Sequence, residues 1–152
     1  MRTAAFLAAV VVSAVVVSAL AVIPAGRSGT PLTVAAYRDK ANLICANERS
    51  KTMRLVVGIA HLERYLTAEI AVVRSAHDSL KQLAPPAKFA AVHSEIVALL
   101  GSEVTYFATL RDQAKAGKLT VPEFQADSRL GVFDGRELAL WKKTGAQTCE
   151  TP

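Results

Sequence analysis

The sequence predicts an all-α protein: an N-terminal transmembrane or signal helix followed by an up-down bundle of four helices locked by one disulfide. Three observations carry this. Residues 4–23 form an uncharged apolar run broken only by two serines. The rest of the chain repeats its apolar residues at three-and-four spacing, and no segment has the strict alternation of a strand. Two cysteines, Cys45 and Cys149, stand near opposite ends of that helical part.

The apolar run has the length of a bilayer span, about 20 residues. Ala19-Leu20-Ala21 also offers a small-x-small cleavage site. Residues 1–24 are therefore either an uncleaved anchor or a signal peptide, and no cysteine follows them for lipid attachment. Residues 25–32, AGRSGTPL, read as a short tether. Residues 33–152 are left as one extracytoplasmic domain. With only 6% aromatic residues, its core must be built mainly from aliphatic side chains. In an oxidising compartment an even cysteine count predicts one disulfide, Cys45–Cys149, with two buried free thiols as the alternative. Such a bridge closes a loop of roughly 100 residues and is worth up to about 4.7 kcal/mol in the chain-entropy model.

The first helix is expected from Thr33, a potential cap, to about Val56. Its apolar positions are Val34, Tyr37, Ala41, Ile44 and Leu55. The second is expected from about Ile59 to Leu83, with Glu69 as the one polar residue in its seam. Only Gly58 separates the two, so one continuous helix is an alternative. Pro85 and Pro86 set the next boundary, because each disfavours helical geometry in the residue before it. Pro86 also suits the first position of the third helix, which is expected to run to Ala116 and stop at Gly117. Thr120-Val121-Pro122-Glu123 is a capping box opening the fourth helix. That helix carries Phe124, Leu130, Phe133, Leu138 and Trp141 and ends at Gly145. Gly131 and Gly135 cost it helix stability and are expected to let a neighbouring helix approach. Because the fourth helix is shorter than the third, a short tail can bring Cys149 level with Cys45.

A helix containing Ile44-Cys45-Ala46, a Leu83-Ala84-Pro85-Pro86 turn and a lone cysteine near the C-terminus resemble a group of small exported helical proteins of high-GC Gram-positive bacteria. The resemblance covers about residues 34–150. It implies export and a helical fold, and it brings no activity with it. The chain departs from the group in lacking both the lipid-attachment cysteine common there and the Pro-rich break between the first two helices.

The formal net charge is +5. The densest basic stretch, Arg49, Lys51 and Arg54, reads as a solvated helix face or as a contact for an anionic envelope surface. No aromatic residue interleaves it as a base-stacking platform would, which argues against nucleic acid. Among the histidines, His77 and His93 stand at similar height on either side of the proline turn, with Asp78 and Glu95 nearby. They are the candidate metal ligands, although a metal needs three or four converging groups. Glu69 and Glu103 face each other by the same argument. They are candidates for acid–base work, for pairing with Arg74 or Arg111, or for simply pointing to solvent. No Glu-x-x-His, C-x-x-C-H, G-x-S-x-G or Gly-rich phosphate loop occurs. The expected function is a non-enzymatic envelope module, membrane-anchored or secreted, for partner binding or assembly. No cofactor is expected. The alternative is a carrier for a small ligand, metal or haem in the bundle interior.

Overall fold

The computed structural model describes residues 29–55 and 61–150. The predicted leader, most of the tether and the expected break at Gly58 lie outside them. Among the described residues no helix is long and apolar enough to cross a membrane.

The domain is all-α. Four long helices pack as a bundle: α1 (Val34–Leu55), α2 (Leu62–Lys81), α3 (Ala90–Lys115) and, after the five-residue α4 (Val121–Gln125), α5 (Ser128–Thr144). The disulfide Cys45–Cys149 ties the C-terminal tail to α1 with Cα atoms 5.3 Å apart.

Helices α1 and α2 are separate. The Leu32 N–H donates to the Ala84 carbonyl at 2.9 Å, and the Thr52 hydroxyl donates to Glu69 at 3.3 Å. A continuous helix would hold residues 32 and 84 about 78 Å apart at 1.5 Å per residue, whereas α1 and α2 pack side by side.

The proline turn is where it was expected, but Pro86 is not the first helical residue. Its ψ of 149° is extended, and a 3-10 turn over Ala87–Phe89 precedes α3. The turn carries Phe89 into contact with Tyr37, with ring centroids 5.4 Å apart. Gly117 ends α3 with φ 67°, a conformation that costs glycine little.

The expected fourth helix is two. The capping box opens α4, where the Glu123 carboxylate accepts from the Thr120 N–H at 2.8 Å and from its hydroxyl at 2.7 Å. The helix then breaks at Asp127, whose backbone is extended at ψ 105°. The Asp127 side chain accepts from the Arg129 N–H at 3.0 Å and also receives the Tyr106 hydroxyl. A carboxylate at this position satisfies a donor that the first turn of α5 leaves open.

The core follows the helical spacing. Tyr37 and Ala41 from α1, Leu66 and Leu80 from α2, Ile96, Leu100 and Leu110 from α3, and Trp141 from α5 are almost wholly enclosed. Each large aliphatic side chain so enclosed contributes about 1.5–3 kcal/mol. Phe124 is buried, whereas Phe133 is half-buried and packs on Tyr106. Gly145 closes α5 at φ 69°, and its N–H reaches the Trp141 carbonyl. The expectation for Gly131 and Gly135 fails: a Cβ at either would meet nothing within 4 Å. These glycines adjoin open space rather than a closely packed helix.

Candidate functional site

Gly135 lines a cavity of about 710 Å³ between α1, α2, α3 and α5. Its position follows from the packing. Helix α1 packs on α2 and on the C-terminal tail, and α5 packs on α3; α1 reaches the end of α5 through Arg38, which donates to the Thr144 carbonyl. The seam between them stays open where α5 carries Gly135 and α1 carries Met53.

Helical spacing brings the polar residues into this space. On α1, Glu48 and Thr52 are four apart and share a face; so are Glu69 and Val73 on α2. On α5, Asp134, Glu137 and Leu138 face the same way, and α3 adds Glu103. The disulfide and Thr148 close one side. Five of the chain's 13 acidic residues thus line one cavity in a chain of net positive charge.

Glu69 is the most enclosed of them, at 7% exposure. One carboxylate oxygen receives the Thr52 hydroxyl, and the other, Oε2, is buried with no hydrogen-bond partner among the described residues. Glu48, Glu103 and Glu137 are half-buried, and Asp134 stands exposed at the rim. Burial raises the Glu69 pKa, and the Thr52 bond opposes that rise. The Glu48 carboxyl is pushed up to about 8, first by burial and then by Glu137, Glu103 and Glu69. Glu103 is likewise pushed up to about 8, by burial and then by Glu137, Asp134 and Glu69. Glu137 is raised by burial, although it accepts the indole N–H of Trp141 at 2.8 Å. Like charges crowded in a poorly solvated space favour the protonated form.

Of the residues singled out from the sequence, Glu69 and Glu103 do come together. They are not neutralised by Arg74 or Arg111: Arg74 is exposed, and Arg111 pairs with Asp112 at 2.8 Å. Glu48, Asp134 and Glu137 were not anticipated. The signal was available, since Glu48 lies three residues after Cys45 and Glu137 four before Trp141, on the faces those two residues bury.

The basic stretch divides. Arg49 is half-buried at the cavity wall and donates to the Thr148 carbonyl at 2.9 Å, while Lys51 and Arg54 are exposed. The two candidate metal ligands have separate partners. His77 Nδ1 lies 2.8 Å from Asp78 Oδ1. His93 is fully enclosed, with Nδ1 3.0 Å from the Tyr37 hydroxyl. Among the described residues, no group of three or more His, Cys, Asp or Glu is placed to hold a metal ion.

The fold and cavity define the class only as a disulfide-locked helical bundle with an acidic interior. No protein-family model, curated protein or solved structure matches the chain.

Proposed function

We propose that the chain is a non-enzymatic extracytoplasmic helical module that holds a small ligand in the cavity between α1 and α5. Residues 1–24 deliver it, as anchor or signal, and residues 25–32 tether an up-down bundle outside the cytoplasm. The observation that carries the reading is the cavity. Its volume of about 710 Å³ lies within the roughly 300–1,000 Å³ range of small-molecule sites, which join apolar walls to a few convergent polar groups. Val73, Leu138 and Met53 supply the apolar walls, and the carboxyl groups supply the polar ones. The cysteine sulfurs at the cavity are committed to the disulfide, so neither serves as a nucleophile. That bond also suits an oxidising space outside the cytoplasm.

Gly135 provides the test. Its Cβ position is empty and it lines the cavity, so Gly135→Leu fills the space without a backbone clash. The full chain, recovered oxidised from cells, is screened by thermal shift against small molecules of varied charge. A compound that raises the midpoint of the wild type but not of Gly135→Leu supports the reading. If no compound separates the two proteins, the reading is lost.

A second reading rests on α1. Lys51 and Arg54 are exposed there beside Met53, which is 69% exposed. A basic and apolar surface of this kind suits an anionic envelope. Lys51→Glu with Arg54→Glu is expected to weaken salt-sensitive partitioning to anionic vesicles; equal partitioning by both forms would remove this use of α1.

A further inference from the structure

We infer that the occupant of the cavity is an aliphatic amine carrying two or more ammonium groups, bound through the carboxylates of Glu69, Glu48 and Glu103. The inference rests on the small-ligand reading and deepens it.

Two independent observations support it. One is the convergence of carboxyl groups from four helices on a single space. The other is Glu69 itself: it is more than nine-tenths enclosed and lines the cavity, and its Oε2 has no hydrogen-bond partner among the described residues. An unmet buried acceptor costs about 1–3 kcal/mol, more when it is charged. A carboxylate can only accept hydrogen bonds, and an ammonium group can only donate them, three at a time. The two are complementary in charge as well as in hydrogen bonding.

The cavity's size and walls argue for an organic cation over a bare ion. No three of its carboxylates are placed to hold one metal, and a volume of about 710 Å³ far exceeds the roughly 30 Å³ share of one water. Val73, Leu138 and Met53 would lie against methylene groups, which is where a flexible aliphatic chain gains most. A purely apolar chain would leave Glu69 Oε2 unmet, a neutral hydroxyl would meet it without offsetting its charge, and an anion would add to the crowding of like charge.

Binding has a proton signature. The charged and titratable groups facing the cavity are Glu48 and Arg49 from α1, Glu69 from α2, Glu103 from α3, and Asp134 and Glu137 from α5. Near pH 7 the Glu48 and Glu103 carboxyls, held up at about 8, are mainly protonated. An ammonium beside them favours ionisation, so binding releases protons and tightens as the pH rises towards 8.

The experiment uses the full oxidised chain and four probes: spermidine, 1,6-hexanediol, adipate and calcium. Binding is followed by calorimetry in two buffers of different ionisation enthalpy. The single tryptophan gives a second signal, because Trp141 donates to the cavity carboxylate Glu137. Spermidine is expected to bind with proton release. Glu69→Gln is expected to weaken it about tenfold or more, the scale of one charge-assisted hydrogen bond. Glu103→Gln provides a second variant should Glu69→Gln misfold, and Asp112→Asn, away from the cavity, is expected to leave binding unchanged. Preference for the diol, adipate or calcium over spermidine would overturn the inference while leaving a ligand site in place. So would spermidine binding that is indifferent to both cavity variants. Failure of every probe to move Trp141 emission or the thermal midpoint would overturn the inference and count against the small-ligand reading as well.

Discussion

Glu48 and Glu103 ionise near pH 8 in the folded chain, but near the ordinary carboxylate value of about 4.3 when unfolded. Between these values the folded state holds more protons than the unfolded state, so stability falls as pH rises. The stability these groups contribute is complete below the unfolded value and is lost as pH climbs through the folded one. The thermal midpoint is therefore expected to drop from about pH 5 to about pH 8. Glu48→Gln and Glu103→Gln should each flatten that slope, and a midpoint indifferent to pH over this range would show that the groups are better solvated than their positions indicate. Tyr37 tests the opposite end of α1. Its hydroxyl meets His93 Nδ1 inside the core at 3.0 Å, so Tyr37→Phe keeps the ring packing against Phe89 and removes one buried hydrogen bond. A loss of about 1–3 kcal/mol is expected by chemical denaturation.

At the scale of elements, α5 depends on its first residues. Asp127 holds the Arg129 N–H and the Tyr106 hydroxyl, and its carboxyl is drawn down to about 2, first by the Arg129 side chain and then by Tyr106. Its contribution is present above the ordinary aspartate range and lost as pH falls through about 2, opposite in sign to the cavity glutamates. Asp127→Ala is expected to cost about 0.5–2 kcal/mol, as the loss of an N-cap does, while Asp127→Asn keeps the cap. Gly131 should respond the other way. It sits in the helix with open space at its Cβ position, so Gly131→Ala is expected to stabilise by about 0.5–1 kcal/mol. Both follow from equilibrium unfolding of the purified chain.

The same two residues show how far the sequence reached. Helix periodicity, the proline turn, the capping box and the glycine stops were legible because they are local: each is settled by a few neighbouring residues. Asp127 was not, since a carboxylate six residues past Val121 in an apparent helix looks like surface until Tyr106 is placed beside it. Gly131 and Gly135 suggest close packing from the sequence alone, yet both adjoin open space, and at Gly135 that space is the gap between α1 and α5, which no local pattern encodes. Two of the five acidic residues of the site were likewise visible, as Glu69 and Glu103 face each other across one hairpin. Spacing to Cys45 and Trp141 places Glu48 and Glu137 on inward faces, but that these two and Asp134 share one space with Glu69 and Glu103 follows only from the closed bundle.

Over the whole molecule, the tail binds the two ends of the domain together. Besides the disulfide, the Thr148 N–H donates to Asn42 at 2.9 Å, Arg49 holds the Thr148 carbonyl, and Arg38 donates to the Thr144 carbonyl at 2.7 Å. Ala146 between them is wholly enclosed. These noncovalent contacts lie just before Cys149, between Thr144 and Thr148, so they keep the tail docked when the sulfur link is absent. The link acts chiefly on the unfolded chain, where it joins residues 104 apart. A Cys45→Ala, Cys149→Ala double variant is therefore expected to stay helical at room temperature by circular dichroism. It should lose about 2–4 kcal/mol of stability against the oxidised chain in denaturant. The cavity adds a second consequence, because Cys45 and Cys149 form part of its wall. With the noncovalent clasp intact, the double variant should bind any cavity ligand less tightly but not lose it. Equal stability of the two forms would mean that the clasp alone sets the tail's position. Complete unfolding of the variant would mean that the clasp contributes little without the bond.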